Sequence, residues 1–140
     1  MWSNEQVLLW HRHANAIKKK FVSKYCSVVS SGTAALHLVG KSLKWSSKDT
    51  VITTPITFLA TSNAILYCGA SPSFVDVDPS TFNICPKLTE NAINSNTKAI
   101  IVVHYGGNAC DMNEFLRLKR KHKLFIIEDA AHGFMGKYKK

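Results

Sequence analysis

At 140 residues and 46% apolar content, the chain is long enough for one domain with a real core and too short to expect two. Eighteen Lys and Arg against nine Asp and Glu give a formal charge of +9, which favours an anionic partner without choosing among nucleic acid, a membrane surface and a phosphorylated small molecule. The cationic stretches are Lys18-Lys19-Lys20 with Lys24, Lys41 to Lys48, and Arg117 to Lys123 continuing to Lys137, Lys139 and Lys140. They fall where helices show their wet side and match no nucleic-acid module signature, so they read as solvated faces, and no nucleic-acid partner is expected. Cys26, Cys68, Cys85 and Cys110 are widely spaced, with no C-x-x-C pair or His grouping for zinc, and read as buried reduced thiols. The run Val7-Leu8-Leu9-Trp10 follows Glu5 and precedes His-Arg-His, which does not make a signal peptide, and no segment reaches the ~18 apolar residues of a membrane span. A cytoplasmic protein with no membrane partner is the expectation.

Residues 5 to 24 place Val7, Trp10, Ala14, Ile17 and Phe21 at steps of three and four, which predicts an amphipathic helix over an N-terminal segment 1–24. The remainder, 25–140, alternates short β-rich runs with helical periodicity. Strands are predicted at Tyr25 to Val29, Val51 to Thr53, Ser73 to Val77, Ala99 to His104 and Leu124 to Glu128. Helices are predicted at 33 to 44, 57 to 67, 86 to 94 and 111 to 122, with Pro86 suited to a first turn and Asp111 with Glu114 forming a weak capping-box pattern. The alternation predicts an α/β fold, a mostly parallel sheet between helices in three layers, α/β/α.

Ligands of such sheets bind at the carboxyl ends of the strands. Five segments fall there: Ser30 to Thr33, Thr54 to Phe58, Asp78, His104 to Gly107, and Asp129 to His132. Ser30-Ser31-Gly32-Thr33-Ala34-Ala35 opens a helix with small residues and free backbone N–H groups, which suits a phosphate and equally suits a simple helix cap. It matches neither G-x-G-x-x-G nor G-x-x-x-x-G-K-[ST]. Phe58 either presents a flat face to the same mouth or packs in the core. Glu128-Asp129 ends an apolar strand, where a carboxylate needs a cationic or hydrogen-bonding partner. A pyridinium nitrogen is one such partner; a helix cap or a lysine is another. His132 stands between a structural hydrogen bond and contact with a ligand oxygen.

In this order, five blocks resemble the DegT/DnrJ/EryC1/StrS family of sugar aminotransferases that use pyridoxal 5'-phosphate (PLP). The blocks are Ser31 to Leu38, Val51 to Ile65, Gly69 to Pro79, Thr97 to Gly107, and Glu128 to Gly133, so the likeness spans roughly residues 21 to 140. The resemblance implies the aspartate-aminotransferase fold (fold type I), here the first half of its large domain. It also implies that Gly32, Thr33 and Ala34 hold the PLP phosphate, that Phe58 stacks on the pyridine ring, that Asp129 pairs with the ring nitrogen, and that His132, where relatives often have Gln, bonds near the ring hydroxyl. The implied reaction moves an amino group from glutamate to a nucleotide-linked keto sugar, in an enzyme whose sites are completed across a homodimer. The Thr-Thr-Pro-Ile-Thr-Phe block looks most like the branch that aminates UDP-linked 4-keto-6-deoxy sugars for pseudaminic acid.

The family's lysine that holds PLP covalently belongs to a later segment than any here, and Lys137, Lys139 and Lys140 match a surface tract instead. On that reading no catalytic residue lies in this chain, the lysine falls beyond Lys140, and an inactive, truncated chain is expected. Two alternatives accompany it: a sugar dehydratase of the same family, and a non-catalytic module that binds phosphate or PLP.

Overall fold

The computed structural model describes residues 4–138, with side chains from Leu8 onward. The side chain of Val7, and Lys139 and Lys140, therefore lie outside the described residues. The chain divides into two compact units, one up to Ser31 and one from Gly32.

The first unit is helix α1, Asn4–Phe21, followed by irregular chain. The predicted helix is present, with Ala14 and Ile17 half-buried and Trp10 and Phe21 on its surface. The predicted strand from Tyr25 to Val29 is not. Its residues join no ladder, and Tyr25, Val28 and Val29 are exposed. β-Propensity records how well a side chain fits a pleated, half-buried surface, and without a neighbouring strand it builds nothing.

The second unit contains α2 (Gly32–Ser42), β1 (Thr50–Thr53), α3 (Ala60–Tyr67), β2 (Ser71–Phe74), α4 (Pro86–Ala92), β3 (Thr97–Val103), α5 (Met112–His122) and β4 (Phe125–Asp129). The four strands form one parallel sheet in the order β2-β1-β3-β4. β2 starts and stops earlier than predicted because β1 is its template. Thr50 faces Ser71 and Thr53 faces Phe74, and beyond Val75, whose N–H still reaches the Thr53 carbonyl at 2.8 Å, β1 offers no further partner and Val77 bridges Ile84 instead.

Side-chain alternation along the strands divides the core. Ile52, Ile100 and Val102 point to one face, where they meet Met112, Phe115 and Leu118 of α5. Val51, Ala99 and Ile101 point to the other, where they meet Ile65 of α3, Cys68 and Trp45, with Leu36 of α2 packed against them. β3 is central and buried on both sides, which its unbroken apolar run Ala99-Ile100-Ile101-Val102-Val103 requires. The two faces follow from handedness. From β1 the chain moves to β2 on one side, and from β3 to β4 on the other, so two right-handed crossovers place α3 and α5 on opposite faces. The three-layer α/β/α prediction holds for this unit.

Local signals had mixed outcomes. Pro86 opens α4 as expected. Asp111 stands at the N-cap of α5 but makes no side-chain cap bond; its Oδ1 accepts the Tyr138 hydroxyl at 3.0 Å, and Glu114 pairs with Arg117 instead. The four cysteines are free thiols; Cys68 and Cys110 are buried as expected, while Cys26 and Cys85, outside the packed core, are only half-buried. Burial, and then the charge of Glu128, push the Cys110 thiol up to about 12. Arg117 and Lys121 are not merely solvated: both grip Glu90 of α4, at 2.6 and 2.7 Å. Among the described residues, no helix is long and apolar enough to cross a membrane.

Candidate functional site

Strand order reverses between β1 and β3, because the chain leaves β1 toward β2 and returns to the other side of β1 as β3. A crevice opens at the carboxyl ends of parallel strands at such a point. A cavity of about 310 Å³ lies there, lined by Pro55, Ile56, Thr57 and Phe58 after β1, Val103, His104 and Tyr105 at the end of β3, and Asp129, Ala131 and His132 at the end of β4.

Pro55 interrupts the chain after β1, and α3 begins only at Ala60, so residues 54–59 form an irregular rim. Phe58 sits on it with 78% of its surface exposed, which decides between the two readings of this aromatic: it is not core. Asp129 is half-buried and tied on both oxygens. Its Oδ2 accepts the Thr61 hydroxyl at 3.0 Å and its Oδ1 accepts the Ala131 N–H at 3.2 Å. Thr61 is fully buried, and its Oγ1 lies 2.9 Å from that of Thr57.

The floor of the site is built by β3 and β4 together. His104 is buried, and its backbone N–H donates to the Asp129 carbonyl at 3.1 Å. The loop after His104 passes so close to the loop after Asp129 that a Cβ on Gly107 would stand 2.9 Å from the His132 carbonyl oxygen. Gly107 also has φ of 84°, so only glycine fits there without strain. Asn83, buried, braces the same loop by accepting the Tyr105 N–H at 3.0 Å and donating to the Asn108 carbonyl at 3.1 Å.

The structure thus brings together Phe58, Asp129 and His132 in one cavity. Gly32, Thr33 and Ala34 do not line it; they form the first turn of α2, which Gly32 opens as its first residue. Around Gly32 there is open space, with no atom within 4 Å of where a Cβ would be. The expected strand-to-helix junction is therefore a coil-to-helix junction. Sequence reasoning missed Thr61 and Asn83. Thr57 and Thr61, four residues apart on what was read as one helix, were the available signal for the first; nothing local marks the second.

The chemistry of the cavity fits a flat, nitrogen-containing aromatic ring. An exposed aromatic face supplies a stacking surface, and each Asp129 oxygen keeps acceptor capacity beyond the bond it already takes. No lysine lines it among the described residues.

The parallel α/β sheet with its switch-point crevice is that of the fold type I aminotransferases, whose solved structures superpose on this chain. The sequence profile of the DegT/DnrJ/EryC1/StrS aminotransferase family matches residues 10–140, and the chain belongs to that family. It is 44% identical to the spore coat polysaccharide biosynthesis protein SpsC of Bacillus subtilis, over 84% of this chain and 30% of SpsC. It is also 44% identical to GDP-perosamine synthase of Escherichia coli O157:H7, over 83% of this chain and 32% of that protein. The crystal structure of NtdA from Bacillus subtilis with bound cofactor PMP superposes with a TM-score of 0.86 at 35% identity, covering 89% of this chain and 28% of NtdA. The chain thus spans about a third of the length of the curated relatives it matches.

Proposed function

We propose that this chain is the front part of the cofactor-binding domain of a PLP-dependent sugar aminotransferase. The observation that carries the reading is the convergence of Phe58, Asp129 and His132 on one cavity at the switch point of the sheet. Phe58 stacks on the pyridine ring, Asp129 meets the ring nitrogen, His132 bonds near the ring hydroxyl, and the first turn of α2, Gly32, Thr33 and Ala34, holds the phosphate. The bound cofactor supplies an electron sink for amino-group transfer; the residues here bind it, orient it and set the charge beside its nitrogen.

The acceptor is a nucleotide-linked keto-deoxysugar and the donor is glutamate, in a cytoplasmic enzyme that is a homodimer at full length and builds surface glycans. The sugar-related names of SpsC and GDP-perosamine synthase support this choice of substrate class.

Titration of the purified chain with pyridoxamine phosphate, which forms no covalent bond to lysine, tests the reading. Saturable binding is expected, weakened about tenfold by Phe58→Ala and by Asp129→Asn, as the loss of one good contact predicts. Absence of binding, or binding indifferent to both substitutions, would sink the assignment.

A further inference from the structure

We propose that Thr61 is a positioning residue: its hydroxyl, itself held by Thr57, fixes the Asp129 carboxylate in the orientation that meets the ring nitrogen of the cofactor. The inference rests on the cofactor reading above and adds a residue on a different element, whose role is to aim the carboxylate and not to touch the ligand.

The geometry is specific. Asp129 is the last residue of β4, at the carboxyl end of the strand, where its side chain projects beyond the ladder that β4 shares with β3. Its Oδ1 is held locally by the Ala131 N–H, which follows the same turn and moves with it. Among the described residues, the hydrogen bond to its carboxylate from another element comes from Thr61, on α3 and 68 residues distant in sequence, which donates to Oδ2 at 3.0 Å. Two donors, one per oxygen and from independent elements, fix the plane of the carboxylate where one would leave it free to swing.

The hydrogen-bond directions follow. Thr61 has one proton, and it goes to Asp129. Thr57 must then donate to Thr61 across the 2.9 Å between their hydroxyls, so the chain of donors runs from Thr57 through Thr61 to Asp129. Threonine suits this task because a β-branched side chain in a helix has few χ1 rotamers, and a fully buried one cannot change rotamer without disturbing its packing. A helical threonine usually spends its hydroxyl on a carbonyl three or four residues back. That of Thr61 reaches across to another element instead.

The test compares pyridoxamine phosphate with its 1-deaza analogue, in which the ring nitrogen is replaced by carbon, so that Asp129 has nothing to meet. Wild type should prefer the nitrogen-containing ligand. Thr61→Val, which keeps the shape and removes the donor, should reduce that preference about tenfold through weaker binding of pyridoxamine phosphate alone, and Thr61→Ser, which keeps the hydroxyl, should retain at least half of it. Combining Thr61→Val with Asp129→Asn should cost no more than Asp129→Asn alone, since Thr61 acts through Asp129. Equal weakening of both ligands by Thr61→Val would reduce Thr61 to a packing residue and overturn the proposal, as would no change in either. If wild type binds both ligands equally, Asp129 meets no ring nitrogen and the positioning role falls while the pocket stands. If wild type binds neither, the cofactor reading falls and takes this inference with it.

Discussion

Nε2 of His104 stands 3.1 Å from Oε2 of Glu128, across neighbouring strands, while Nδ1 of the same ring accepts the backbone N–H of Cys110 at 3.2 Å. Because an N–H points at Nδ1, that nitrogen carries the lone pair, and the ring proton sits on Nε2 and is donated to Glu128. The imidazole thus ties the end of β3 both to β4 and to the chain entering α5, directly beneath the cavity.

The two contacts of His104 should differ in worth. His104→Leu leaves the Cys110 N–H without its acceptor in a buried setting, and a loss of about 1–3 kcal/mol is expected. Glu128→Gln should cost less than about 1 kcal/mol, because the Glu128 side chain is 54% exposed and water replaces the contact. Urea unfolding of both variants at pH 7 measures the difference. Equal losses would show that the bond to Glu128, not the one to Cys110, anchors the ring.

Adjacent glycines in the loop after β3 should respond unequally to alanine. Gly106 has φ of 58° with no atom within 4 Å of a Cβ, so Gly106→Ala pays only for the left-handed backbone, about 1–2 kcal/mol. Gly107→Ala pays that and must also displace the His132 carbonyl, 2.9 Å from the new methyl. It should therefore destabilise more, and it should also weaken pyridoxamine phosphate binding because the segment carrying His132 shifts. Comparable binding by both variants would show that this loop does not shape the cavity.

The clamp on Glu90 makes stability pH-dependent. The Arg117 guanidinium first, and then the Lys121 ammonium, hold the Glu90 carboxyl down from its ordinary 4.5 to about 2. A carboxyl whose value is lower in the folded state than in the unfolded chain stabilises the fold above the unfolded value and loses that contribution as pH falls toward the folded one. Wild type should accordingly be more stable than Glu90→Gln at pH 7, with the gap closing between about 4.5 and about 2. Thermal melts of both proteins from pH 7 to pH 3 follow the gap. Added salt should shrink it at pH 7, since Arg117 and Lys121 are partly exposed. A gap that is constant with pH would assign the effect of Glu90 to packing.

What the sequence by itself determined is what local chemistry can write. Short β-rich runs marked β1, β3 and β4, and helical periodicity marked the helices of the second unit, because burial on a strand or a helix demands apolar residues there. That Phe58, Asp129 and His132 would meet at one cavity was legible because a parallel sheet brings the carboxyl ends of its strands together. The tertiary structure decided the rest. Tyr25 to Val29 has the composition of a strand and forms none, since a ladder needs a partner that composition does not supply. The extent of β2 was set by where β1 ends. The choice between surface and core for Phe58 depended on Pro55 delaying α3 to Ala60. The bond from Thr61 to Asp129 spans 68 residues, and only the packing of α3 against the face of the sheet brings the hydroxyl in its first turn within 3.0 Å of the carboxylate. Hydrogen bonds of this kind depend on distances between elements, and distances between elements are properties of the packed core.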